Sequence, residues 1–249
     1  MKAIVIAAGL GSRFCEFTQD KPKCMVKVHG RTILERMIST FNKCGIYDII
    51  VITGYKKELI TYPSVRYYYN PDYRTTNNLA SLFCAENEMD DEFITSFSDI
   101  LFEEGILRKL LTNEGDITLV IDEDWMPKYK NRTLHPTSEA DKVVIVGDKV
   151  TRIGKTVELE KTEGEFIGLA KFSVKGAGIL KRYYHQAKSA YSNRPFYEAT
   201  VFEKAHLMDI FQYIIDNGGV IRPTLISEGW AEIDTPEDFE NVIRNMKEV

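Results

Sequence analysis

The 249-residue chain lacks most features that would place it in a membrane, in an oxidising compartment or on nucleic acid. It has four cysteines, Cys15, Cys24, Cys44 and Cys84, and no two stand at C-x-x-C spacing. That speaks against a disulfide framework or a zinc knot and fits scattered reduced thiols of a cytosolic protein. A leader peptide is not expected, because Met1 runs straight into Lys2-Ala-Ile-Val-Ile6, which reads as a buried strand. No apolar run approaches the length of a membrane span, so insertion in a bilayer is not expected. An excess of positive charge is also missing: the formal net charge is -5, which argues against a nucleic-acid partner but leaves room for a local basic pocket. Internal repeats, linkers and low-complexity stretches are absent, and the simplest organisation is one domain over residues 1–249. What is present is an ordinary balance of 44% hydrophobic and 28% charged residues, ample for a core.

Strand and helix patterns alternate through the first part of the chain. Lys2–Ile6, Asp48–Thr53, Val65–Tyr69 and Phe93–Phe97 read as strands. Ile33–Lys43 carries apolar residues at 33, 34, 37, 38 and 41, one face of a helix that Gly45 would stop. A second helix is expected to begin near Asn77 or Asn78. This alternation predicts a parallel α/β sheet. Beyond it, Ile117–Ile121, Val143–Val146, Lys149–Ile153, Phe166–Phe172 and Val220–Leu225 read as strands of a mixed region, and residues 122–142 as polar and irregular. Helices are expected over Ile179–Ala190, over Phe202–Asp216 and from Thr235-Pro236 onward, where a capping residue precedes a proline.

Four short motifs carry chemistry. Ala7-Ala-Gly9-Leu-Gly11-Ser-Arg13 follows a strand, and glycines there let successive backbone N–H groups approach phosphate oxygens. Phe14 stands where a dinucleotide fingerprint needs its third glycine, and no Gly-Lys-Ser/Thr closes a P-loop. The loop is G-x-G-x-R, which an ordinary strand–helix turn would also satisfy. Lys21-Pro22-Lys23 follows, a stiffened segment whose Lys23 can join Arg13 in offsetting negative charge on a transferred phosphoryl group; its plain alternative is a solvated turn. Asp99 ends an apolar strand, and Asp234 stands in Glu232-Ile-Asp234-Thr-Pro. Ligands of open α/β sheets lie beyond the carboxyl ends of strands, and Mg²⁺ favours one or two carboxylates plus substrate phosphates. Asp99 and Asp234 fit such a pair, while a strand-end turn and a helix N-cap are their structural alternatives.

Taken together, these residues resemble the nucleotidyltransferases of the sugar-1-phosphate and phosphocholine type, whose opening runs A-A-G-x-G-S/T-R…P-K. The resemblance is dense over about the first 100 residues and returns at 228–240. It implies an α/β, Rossmann-like three-layer sandwich with a mixed, mostly parallel central sheet and a small antiparallel insertion. Residues 1–100 would form the nucleotide-binding half and 101–249 the acceptor-binding half. It implies that Ala8, Gly9, Gly11, Ser12, Arg13 and Lys23 hold a triphosphate, that Asp99 and Asp234 hold Mg²⁺, and that Lys23 bridges acceptor and α-phosphate during in-line attack. Where sugar enzymes of this type carry a P-x-G-L-A-like segment, this chain has Thr75-Thr76-Asn77-Asn78-Leu-Ala-Ser81. That pattern is similar to cytidylyltransferases acting on phosphocholine or 2-aminoethylphosphonate, with Asn77, Asn78 and Ser81 addressing the cytidine; the same residues would also suit a helix N-cap and first turn.

The expected substrates are thus CTP and a small phospho-acceptor, of the kind used in cell-surface polysaccharide or phosphonate synthesis, and no nucleic acid. Glu165 would face an amine, with Trp125 and Trp230 also on the acceptor side. Tyr129, Tyr191, Phe196 and Tyr197 are further aromatic candidates for a cage, better explained by packing. His135, in a polar loop, is not a site by itself. The alternatives are a sugar-1-phosphate uridylyl- or thymidylyltransferase and a non-catalytic nucleotide sensor; a homodimer remains open. Two departures from the family pattern stand out: Phe14-Cys-Glu-Phe17 replaces Leu-x-Pro-Leu, which should alter loop packing more than chemistry, and no hexapeptide-repeat tail follows.

Overall fold

The computed structural model describes residues 1–130 and 132–245, and the side chains of all of these except Cys15 and Glu16. In chain order the first elements are β1 (Lys2–Ala7), β2 (Lys27–Val28), β3 (Arg31–Thr32), α1 (Ile33–Lys43), β4 (Asp48–Thr53), β5 (Val65–Tyr69), α2 (Asn78–Phe83) and β6 (Phe93–Phe97). Then come β7 (Ile100–Phe102), α3 (Glu104–Thr112), β8 (Ile117–Asp122), α4 (Met126–Tyr129), β9 (Lys142–Val146), β10 (Lys149–Gly154) and β11 (Gly164–Phe172). The last are α5 (Val174–Tyr191), α6 (Leu207–Asp216), β12 (Arg222–Ile226), β13 (Trp230–Glu232) and α7 (Pro236–Asn245).

β1 is flanked in parallel by β4 and β6, and β5 adds in parallel to β4. β11 runs antiparallel between β6 and β8, and β12 closes that end parallel to β8. The β9–β10 hairpin pairs with the first residues of β11, which is the antiparallel insertion. Helices cover both faces of this mixed, mostly parallel sheet. Side-chain alternation explains why the strands read as unbroken apolar runs. In β1, Ile4 and Ile6 join the layer under α2, α5 and α6, while Ala3, Val5 and Ala7 join the layer under α1 and α3. β11 does the same, with Phe166, Ala170 and Phe172 on one face and Ile167 and Leu169 on the other. Each such large side chain contributes roughly 1.5–3 kcal/mol on burial.

α1 spans the expected residues because Thr32 and Glu35 form a reciprocal capping box, 3.0 and 2.7 Å, and Gly45 leaves the helix at φ +83°. Three expectations needed correction. α5 begins at Val174, since Ser173 caps the Gly176 N–H at 3.0 Å and Gly176 lies too close to the Asp116 carbonyl for any side chain. The helix expected over 202–216 breaks before Leu207, where Asp209 accepts from the His206 N–H at 2.7 Å and Asn78 from the Leu207 N–H at 2.8 Å. The segment 122–142 is not wholly irregular but holds α4 and a 3₁₀ turn over Thr137–Glu139. β7, α3 and β13 were not anticipated, and β7 pairs with β13 in a separate two-stranded sheet.

Candidate active site

The chain leaves β1 into Ala8–Gly11. Gly11 has φ +63°, the left-handed region that favours glycine, and starts a 3₁₀ segment over Ser12–Thr18. A Cβ on Gly9 would meet no protein atom within 4 Å, so that side of the loop is open for close approach of a ligand. Phe14 is fully buried, stacks on Phe17 at 4.7 Å and meets Phe239 of α7 at 5.9 Å. The departure from Leu-x-Pro-Leu therefore acts through packing, by docking α7 against the glycine loop.

This docking and the β7–β13 sheet bring the distant motifs together. Glu232 pairs with Ile100, and the Ile233 N–H donates to the Asp99 carbonyl at 2.9 Å, which places Asp234 beside Asp99. Asp234 is not spent as the α7 cap, because Thr235 and Asp238 do that work: Asp238 Oδ2 accepts from the N–H groups of Asp234 and Thr235 at 3.0 and 2.8 Å. Lys23, on a turn set by Pro22, donates to Asp99 Oδ2 at 2.9 Å and also to Asp234 Oδ1. The second Asp234 oxygen is 2.6 Å from Arg13 Nη2. Burial alone would push Lys23 down, but the two carboxylates raise it above the ordinary lysine range; Lys23 and Arg13 likewise hold Asp234 below its usual value despite burial. Convergence of two carboxylates on one cation, with Asp99 Oδ1 buried and unpartnered, fits a divalent metal.

All this lines a cleft of about 360 Å³. Of the anticipated residues, Ala8, Gly9, Gly11, Ser12, Arg13 and Lys23 form one part of its wall, and Asp99, Asp234, Glu165 and Trp230 another. Asn77, Asn78 and Ser81 line it too, but much of their polar capacity is already committed. Asn77 Oδ1 accepts from the Asn78 N–H at 2.8 Å and its Nδ2 pairs with His206 Nε2 at 2.9 Å, while Ser81 Oγ lies 2.9 Å from Asn70 Nδ2. Trp125 is not among the lining residues; it is buried against Tyr129 and Ala140. Phe196 packs against Tyr191 and Tyr197 away from the cleft, and Lys21 pairs with Asp20.

Several lining residues carry no local sequence signal. His135 Nδ1 lies 3.3 Å from Asp234 Oδ2, 3.4 Å from Glu232 Oε2 and 3.1 Å from Arg132 Nη2. Burial, then Arg132, push His135 down to about 4, so at neutral pH its ring is uncharged and accepts from Arg132. Arg132 also binds Glu232 at 2.9 Å and Asp238 at 2.7 Å, the residues that flank Asp234 in the β13–α7 connection. Lys155, at the end of β10, reaches Glu139 at 2.8 Å, and Glu139 is 3.5 Å from Arg13.

The cleft also titrates in an unusual direction. Burial, then Glu232, push Glu165 up to about 8, and burial pushes Asp141 up to about 7. In the unfolded chain both titrate near pH ~4. As pH falls from about 8.5 to about 6.5, the folded chain takes up protons that the unfolded chain does not, and stability rises. Below that window the gain is offset, because His135 and His206 are held near about 4 when folded and unfolding lets them protonate. The midpoint of thermal unfolding of metal-free protein is expected to be higher near pH ~6.5 than near pH ~8.5. A midpoint still rising through that alkaline range contradicts the assignment.

Residues 3–160 match the MobA-like NTP transferase domain. The chain belongs to this nucleotidyltransferase family. Cytidylyltransferases are among its homologues. CTP:phosphoglutamine cytidylyltransferase of Campylobacter jejuni is 27% identical over 252 residues, covering 96% of this chain and 98% of that one. Choline-phosphate cytidylyltransferase of Streptococcus pneumoniae is 36% identical over 185 residues, 68% and 80% of the two chains. The inositol-1-phosphate CTP transferase from T. maritima superposes with a TM-score of 0.75 at 19% identity, covering 100% of this chain and 98% of that one, and shows the fold. MobA-like transferases typically use a divalent metal, which agrees with the Asp99–Asp234 arrangement. Among the described residues, no helix is long and apolar enough to cross a membrane.

Proposed function

We propose that this chain is a cytoplasmic, Mg²⁺-dependent cytidylyltransferase that joins CTP to a small phosphorylated or phosphonate acceptor and releases pyrophosphate. The observation that carries this reading is Lys23 held between Asp99 and Asp234 at the mouth of the glycine loop. An acceptor oxygen attacks the α-phosphorus of CTP, the bond from that phosphorus to the bridging α–β oxygen breaks, and pyrophosphate leaves with the electron pair. Backbone N–H groups of Ala8–Gly11 and the Arg13 side chain hold the triphosphate, and Lys23 sits on the α-phosphate, where charge builds. Mg²⁺ held by Asp99 and Asp234 would neutralise charge on the triphosphate.

A phosphomonoester is already largely ionised at neutral pH, so no side chain has to remove a proton from it. It is a second polyanion, however, and Lys155 is the cation available to it once the acceptor displaces Glu139. On the base side, Asn78 Nδ2 is only 3.4 Å from His206 Nδ1, a long contact, and is the amide freest to turn to cytosine.

Phosphorus NMR of the reaction mixture tests the reading. It predicts coupled resonances of a new phosphorus–oxygen–phosphorus bridge together with free pyrophosphate, only when CTP and acceptor are both present. CMP and pyrophosphate formed without an acceptor would contradict it.

A further inference from the structure

Glu165 sits on β11 and is 5% exposed. Its Oε1 accepts from the Tyr129 hydroxyl, while Oε2 is buried with no partner although the residue lines the cleft. A buried acceptor left empty is unfavourable, and more so when it is charged. Glu232 and Asp141 line the same cleft and add negative potential. The upward push on Glu165 noted above comes first from burial and then from Glu232, and Arg132 opposes it without reversing it.

Two of the aromatic rings nearby are taken by the protein's own cations. Lys128 Nζ lies 4.6 Å from the Trp230 ring centre, and the Trp230 indole N–H donates to Asp122 at 2.8 Å. The Arg132 guanidinium lies 4.7 Å from the Tyr129 ring. Phe97 and Phe166 meet edge to face rather than turning on a common point. A quaternary ammonium needs open aromatic faces and has no N–H to donate. Here it would find a cation over each of the Trp230 and Tyr129 rings and leave Glu165 Oε2 unsatisfied. A primary ammonium is compact and carries three donors.

We infer that the acceptor carries a primary ammonium at the end remote from its phosphorus, donating to Glu165, and that Glu165 makes the enzyme reject the quaternary form. The inference rests on the cytidylyl-transfer reading.

The test is kcat/KM with CTP across phosphoethanolamine, its N-methyl and N,N-dimethyl forms and phosphocholine, with 2-aminoethylphosphonate and glucose 1-phosphate alongside. Wild-type protein is expected to lose about 100-fold or more from the primary to the quaternary compound, because a site built to hydrogen-bond a donor rejects the analogue lacking it. In Glu165→Gln the primary-to-quaternary ratio should fall to within about 5-fold, with CTP binding retained as the check on folding. Phosphocholine used as well as phosphoethanolamine overturns the inference in wild-type protein alone, and an unchanged ratio in Glu165→Gln overturns the role of that residue. Turnover of glucose 1-phosphate but of none of the amines overturns the inference and leaves cytidylyl transfer standing. Absence of pyrophosphate release with every acceptor overturns both.

Discussion

Lys23→Met lowers kcat by about 10³-fold or more, with a smaller effect on the KM for CTP. The magnitude follows from the place of this ammonium. Removing one preorganised donor from a site of developing charge costs about 3–4 kcal/mol, a factor of 10²–10³. Lys23 also binds Asp99 and Asp234, both poorly exposed, so its loss misplaces these two carboxylates as well. The same substitution leaves buried negative charge uncompensated, which lowers stability by about 3–5 kcal/mol in typical cases. A divalent ion can refill the vacancy between the carboxylates. Mg²⁺ should therefore raise the unfolding midpoint of Lys23→Met more than that of the wild type. Turnover within tenfold of wild type would remove Lys23 from the chemistry, and equal responses to Mg²⁺ would separate the carboxylates from the metal.

Asp234→Asn and Asp99→Asn should each lose most turnover while the fold persists. Asp234 has the larger expected effect, because it touches Lys23 and Arg13 together and sits at the junction of β13 and α7. An amide keeps the shape but presents no charge to a metal and offers one oxygen in place of two. Loss of about 10³-fold in kcat at saturating CTP is the expected size for a residue that positions both the metal and the catalytic lysine. Raising the Mg²⁺ concentration should recover part of the Asp99→Asn activity and less of the Asp234→Asn activity, since Asp99 makes fewer contacts with the protein. Near-normal rates in either variant would take it out of the metal site.

The parts of this site that could be read from the chain are those whose chemistry is local. A glycine loop after a strand, a lysine beside a proline and a carboxylate at a strand end each declare a backbone position, and Gly9, Lys23 and Asp99 lie in one cleft. β1, α1, β4 and β6 were legible for the same reason, since each buries a regular face. The residues that tie the site together were not. β7 and β13 are three-residue strands, too short to show a period, yet their pairing places Asp234 beside Asp99. Arg132, His135 and Lys155 lie in polar stretches indistinguishable from solvated surface, and only the fold turns them toward Glu232, Asp234 and Glu139. Asn77 and Asn78 were read as polar groups facing a base. The structure commits most of their hydrogen bonds to His206 and to the start of α6, a contact across 129 residues that no local pattern announces. Trp125 was misplaced for the opposite reason, because an aromatic beside acidic residues looks the same whether it faces a ligand or a core.

Cytidylyl transfer to a small phospho-acceptor is tested most directly by pyrophosphate release in the presence of Mg²⁺, crossing CTP, UTP, dTTP, ATP and GTP against small phosphorylated amines, phosphonates and sugar 1-phosphates. Release with CTP and a phosphorylated amine or phosphonate, and with no other nucleotide at a comparable rate, is the predicted result. Selective release with UTP or dTTP and a sugar 1-phosphate would contradict it.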